Sequence, residues 1–125
     1  MVKIVVVDDE KSSRLSIARM VERMGYVAIQ CQNGKIALDI LENNPDINLV
    51  ITDVEMPEMD GRQLIQTMRN NAALSHIPII LISGVVGPRQ ISDILLLGAT
   101  AFILKPVQFH DLKEYINRYI ESKSL

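Results

Sequence analysis

Cysteine is almost absent from this chain of 125 residues: Cys31 stands alone. One thiol cannot close an internal disulfide, so a stapled secreted scaffold is excluded and a reducing compartment is expected. Long apolar runs are missing as well. None reaches the length of a membrane span, and the N-terminal MVKIVVVDDE turns acidic too soon for a secretory leader, so the expected location is the cytoplasm with no membrane partner. The thirteen Lys and Arg are spread along the chain, no basic run is interleaved with aromatics, and the net charge is -2, so direct nucleic-acid binding is not expected. Nor is there a low-complexity stretch. With 48% hydrophobic and 22% charged residues the composition is that of a globular protein, and the length fits one domain, residues 1–125, able to bury its own core.

What the chain does contain is an alternation of two kinds of segment. Residues 3–7, 27–31, 49–52, 79–83 and 101–104 are short runs, most of them rich in Val and Ile and apolar on successive positions, as strands covered on both faces should be. Five strands are predicted. The run around Val27 is the least apolar, with Gln30 and Gln32 alternating outward, which suits an edge strand.

Segments of helical spacing separate the runs. Ser12 or Ser13 is the expected cap of a first helix lined by Ile17, Val21 and Met24 and ended by Gly25. A second starts near Asn33, carries Ala37, Leu38 and Leu41 inward, and breaks at Asn43, Asn44 and Pro45. The third follows Asp60 and Gly61 and buries Leu64, Ile65 and Met68. Pro88 suits the first position of a fourth, which stops at Gly98. The last carries Phe109, Leu112, Ile116 and Ile120 at helical spacing, with Asp111 in the first turn.

Alternating βα units imply a parallel α/β sheet wrapped on both faces by helices, with ligands bound beyond the carboxyl ends of the strands. That rule selects Asp8, Asp9, Asp53, Ser83 and Lys105. No glycine-rich phosphate loop follows the first strand, since residues 8–14 read DDEKSSR, so an ordinary mononucleotide fold is disfavoured. Carboxylates gathered around a single ammonium invite a divalent cation and a phosphoryl group. Taken singly, each residue has a plainer explanation. Asp8 and Asp9 suit a helix dipole, Asp53 in TDVEMPEMDG suits a turn, Lys105 could be a solvated residue ahead of a proline, Ser83 says little, and Phe102 could be core. Their joint placement at successive strand ends is what needs explaining. Cys31, His76 and His110 show no ligand spacing and are read as ordinary packed or surface residues.

The motifs VVDDE after the first strand, TDVEMPEMDG after the third, Ser83-Gly84 after the fourth and FILKP at the fifth resemble those of response regulator receiver domains of bacterial two-component signalling. The resemblance runs from Lys3 to about Ile120. It implies a flavodoxin-like, doubly wound (βα)5 fold with strand order 2-1-3-4-5, and Mg2+-dependent phosphorylation of one aspartate by a histidine kinase or phosphotransfer protein. It further implies that Asp53 is the phosphoacceptor, and that Asp8, Asp9, Asp53 and the backbone carbonyl of Glu55 bind the metal, Mg2+ with Mn2+ as a substitute. Lys105 would pair with the acceptor, aimed by a cis bond to Pro106. Ser83 and Phe102 would be the switching hydroxyl and aromatic. Pro57 and Gly61 shape the loop after the acceptor, where Met56 and Met59 are expected to pack.

Such a domain modifies only itself and is not an enzyme on external substrates. Its output would be a changed surface on the fourth helix, fifth strand and fifth helix, read by a protein or effector that the sequence does not name. The alternative on the same fold is a Mg2+-dependent phosphohydrolase with Asp53 as nucleophile. Glu55 and Val85 fall at positions that vary in the family and tune phosphoryl gain and loss. Val85 offers no polar group to orient a water, so slow self-dephosphorylation is expected, accelerated by Val85→Glu. Gly84 stands where alanine is common, and with Gly87 it favours a mobile loop.

Overall fold

Branched Val and Ile side chains pack well on a pleated surface, and they fill the strands here. The structure, a computed structural model, describes residues 1–84 and 87–124, with side chains to residue 120. Ten elements alternate: β1 (Lys3–Val7), α1 (Lys11–Arg23), β2 (Val27–Cys31), α2 (Gly34–Asn43), β3 (Leu49–Asp53), α3 (Gly61–Arg69), β4 (Ile79–Ser83), α4 (Pro88–Leu97), β5 (Ala101–Leu104) and α5 (Phe109–Ser124). All strand pairs are parallel, in the order β2-β1-β3-β4-β5. The chain therefore starts beside the centre, steps to the β2 edge, and returns across β1 to build the other side. This is the fold and strand order the motifs imply, with β2 and its exposed Gln30 at an edge.

Side chains alternate along a strand, so each face of the sheet has its own core. Ile4, Val6, Leu49, Ile51, Ile80 and Ile82 pack with Ile17 and Val21 of α1 and with Leu112 and Ile116 of α5. On the other face Val5, Val7, Val50, Ile79 and Leu81 meet Ala37 and Leu41 of α2, Leu64, Ile65 and Met68 of α3, and Ile94 of α4. Burial on both sides is why the strands read as unbroken apolar runs.

Local chemistry sets the helix ends. Asn33 caps α2 by accepting the Ile36 N-H at 2.8 Å. Asp60 and Gln63 cap α3 reciprocally, each side chain taking the other's backbone N-H at 2.9 Å. Pro88 opens α4 and Gly98 closes it at φ +119°, a left-handed conformation that glycine adopts without steric cost. Below that stop, Arg69 at the end of α3 donates Nε to the Gly98 carbonyl at 2.9 Å and Nη1 to the carbonyls of Ile77 and Ser75, at 2.8 and 3.1 Å.

Two expectations need correction. Neither Ser12 nor Ser13 caps α1: the cap position belongs to Glu10, whose N-H is taken by the Asp8 carboxylate at 3.0 Å, while Ser12 donates its hydroxyl to the Glu10 carboxylate. The third strand runs one residue further than its apolar stretch, because the Asp53 backbone still pairs with Ile82. Phe109 is only half-buried, with the Arg23 guanidinium 4.0 Å above its ring, whereas Leu112 and Ile116 are fully enclosed. Val85 lies outside the described residues. Among the described residues, no helix is long and apolar enough to cross a membrane.

Candidate functional site

Parallel pairing brings the ends of the strands to one level: Val7 lies opposite Thr52, Asp53 opposite Ile82, and Ser83 opposite Leu104. The polar residues at or just beyond those ends therefore converge. Asp8 is 1% exposed. Its N-H donates to the Cys31 carbonyl at 3.1 Å, its Oδ1 accepts the Glu10 N-H, and its Oδ2 accepts from Lys105 Nζ at 3.2 Å. Asp53 receives the same ammonium on Oδ2 at 3.2 Å and the Val54 N-H on Oδ1 at 2.7 Å. Lys105 is fixed from below by its own N-H, which donates to the Ser83 carbonyl at 2.9 Å, and its peptide bond to Pro106 is cis.

The electrostatics follow from this packing. Burial pushes the Asp53 carboxyl above the usual range; Lys105 opposes that rise and the Asp8 charge adds to it. Burial alone would lower the Lys105 ammonium, but attraction to Asp53 and Asp8, with hydrogen bonds to both, leaves it raised. One ammonium is thus shared by two carboxylates. Asp9 brings a third, exposed to solvent, and one oxygen from each of Asp8, Asp9 and Asp53 lies within 4.8 Å of the others. Three hard oxygen donors at that spacing, with surplus negative charge, fit a hard divalent cation such as Mg2+ or Mn2+. Beside them opens a cleft of about 320 Å³ lined by Asp53, Glu55, Ser83, Gly84 and Lys105.

The loop after Asp53 is held by close backbone approach. A Cβ on Gly61 would run into the Asp53 carbonyl oxygen, and the Gly61 N-H donates to the Val54 carbonyl at 2.7 Å. Gly34 is a counterpart that sequence reasoning did not single out. Its N-H donates to the Met59 carbonyl at 3.2 Å, and a Cβ there would come within 2.6 Å of the same oxygen. Met56 and Met59 pack against the α2–α4 core, while Pro57 is exposed at the turn. Phe102 is not part of the charged cluster: it pairs with Leu81 across β4 and β5 and lies half-buried against the core on the α4 side. Arg14, also missed, is buried on α1 and donates Nη1 to the Asp8 carbonyl at 2.7 Å.

A family model described as the response regulator receiver domain matches residues 4–117. The chain belongs to that family. As a receiver domain it has curated relatives in rice: the two-component response regulator ORR3 of Oryza sativa subsp. indica is 34% identical over 117 residues, covering 94% of this chain and 89% of its own length. ORR7 of Oryza sativa subsp. japonica is also 34% identical, over 118 residues, and this receiver domain spans 56% of it, little more than half. Among solved structures, the chemotaxis protein CheY4 of Vibrio cholerae superposes with a TM-score of 0.88 at 25% identity, covering 95% of this chain and 98% of that one. The signal receiver domain of a signal transduction histidine kinase from Syntrophus aciditrophicus gives 0.89 at 30% identity, covering 98% and 92%.

Proposed function

We propose that this receiver domain is a phosphoacceptor signalling module in which Asp53 takes a phosphoryl group from a histidine kinase or phosphotransfer protein. One observation carries the reading: at the carboxyl edge of the sheet, Lys105 Nζ lies 3.2 Å from both the Asp8 and the Asp53 carboxylates. An Asp53 oxygen attacks phosphorus in line, forming a P-O bond as the P-N bond of a phosphohistidine breaks and the imidazole keeps the electron pair. Lys105, already on Asp53, follows the negative charge onto the phosphoryl oxygens. Asp8, Asp9, Asp53 and the Glu55 carbonyl would hold Mg2+, which when bound neutralises charge on the transferring group.

Ser83, 8% exposed and on the wall of the cleft, is the hydroxyl assigned to answer the new phosphoryl group by donating a hydrogen bond. Its movement is transmitted through β4 and β5 to Phe102, and so to the surface of α4, β5 and α5. The phosphoryl group shifts a two-state equilibrium by the contacts it makes in only one arrangement. Incubation with acetyl phosphate and Mg2+, read by intact mass, tests the core of this reading. Wild type gains one phosphoryl group and Asp53→Asn gains none; an unmodified wild type with metal present overturns it.

A further inference from the structure

An arginine on the inward stripe of a helix is costly unless its donors are used. Arg14 stands on such a stripe, with Ile17, Ala18 and Val21, and is 9% exposed. Its side chain reaches back to the acidic pair, donating Nη1 to the Asp8 carbonyl at 2.7 Å, while its backbone N-H makes the first helical bond of α1, to the Glu10 carbonyl at 3.0 Å. Asp9 lies between those two carbonyls. Asp8 is held from the other side as well, by its N-H on the Cys31 carbonyl.

We infer that Arg14 is a positioning residue for divalent-cation binding: it clamps the Asp8–Glu10 segment to the first turn of α1, so that the Asp8 and Asp9 carboxylates are already arranged when the cation arrives. The inference rests on the proposed metal-dependent function and adds a residue that touches neither metal nor phosphate. Without the clamp, the segment between β1 and α1 must be ordered at the expense of binding. Partners that orient metal ligands from outside typically change affinity by about 10- to 100-fold when removed.

The test is Mn2+ titration of the unphosphorylated full chain, with free ion read by electron paramagnetic resonance, on wild type, Arg14→Met, Arg14→Lys and Val21→Ala. Arg14→Met is expected to weaken binding about 10-fold or more. Arg14→Lys, which keeps the charge and N-H donors but loses the planar guanidinium, is expected to recover part of it. Val21→Ala removes core volume from the same helix face away from the site; it lowers the melting temperature and leaves Mn2+ affinity unchanged. At saturating metal, the acetyl phosphate reaction of Arg14→Met returns towards the wild-type rate. Folded Arg14→Met and Arg14→Lys that both bind Mn2+ as wild type does would overturn the inference. Should Arg14→Met not fold, Arg14→Lys decides: weakened Mn2+ binding supports the clamp and unchanged binding overturns it. A wild type that binds no Mn2+ would instead strike the metal site itself, and the positioning role with it.

Discussion

Helices α3 and α4 have nearly the same length, lie on the same side of the sheet, and are held very differently. The nine residues of α3 include four buried ones, Gly61, Leu64, Ile65 and Met68, and a complete reciprocal cap. The ten of α4 bury only Ile94, leave Leu96 85% exposed, and start with Gln90 reaching back to the Gly87 N-H without a side chain to answer it. α3 follows the strand that ends in Asp53; α4 follows the one that ends in Ser83. A phosphoryl switch needs a fixed acceptor and a responsive element, and elements with few buried contacts are those that open or shift at low free-energy cost. The molecule puts its rigidity behind Asp53 and its slack behind Ser83.

Several measurements can break or sharpen that contrast. Leu64→Ala empties the enclosed site under α3 and should cost about 3 kcal/mol in urea unfolding, with the loop after Asp53 disturbed. The thiol of Cys31 belongs to the same tightly packed core, and burial raises its pKa from 9.0 to about 11, against a smaller lowering by Arg14. Its thiolate population at pH 8 should therefore be about a hundredfold below that of a free thiol, and iodoacetamide should label it in urea but hardly at all in buffer. Because the folded pKa lies above the unfolded one, the associated stability is complete below pH 9 and is lost as pH rises towards 11; a Cys31→Ala variant should lack that step.

Asp60→Ala strips α3 of its cap and should cost about 1 kcal/mol. Smallest of all, Leu96→Ser on the outer side of α4 should change stability by less than about 0.5 kcal/mol. Amide exchange compares the helices directly, with α4 exchanging well before α3. Equal protection of the two would end the argument from packing.

The fold was legible because its signals are local. Apolar runs of four or five residues, Asn33, Asp60 and Pro88 at helix starts, and Gly98 at a stop each declare themselves within a few residues. The charged cluster was legible for a related reason: each member stands at the end of its own run, and a parallel sheet brings such ends together. What escaped depends on contacts distant in sequence or on atypical burial. Gly34 matters because Met59 presses on it, a pairing no short window contains. Arg14 looks like any solvent-facing arginine until the Asp8 carbonyl is seen above it. Ser12 and Ser13 suit a helix start by composition, but the Asp8 carboxylate reaches the Glu10 N-H first.

The stop at Gly98 ties two positions distant in sequence into one packing unit. Arg69 occupies the space a side chain there would need, with its Cγ 2.8 Å and its Nε 3.1 Å from where a Cβ would stand, and the same guanidinium collects three carbonyls from two connections. A larger residue at 98 would need both a left-handed backbone and a smaller neighbour at 69, whereas shortening 69 leaves those carbonyls to find water. The residue that fits at 98 is therefore set by the side chain at 69, and the carbonyls of two connections are satisfied only while that side chain stays long.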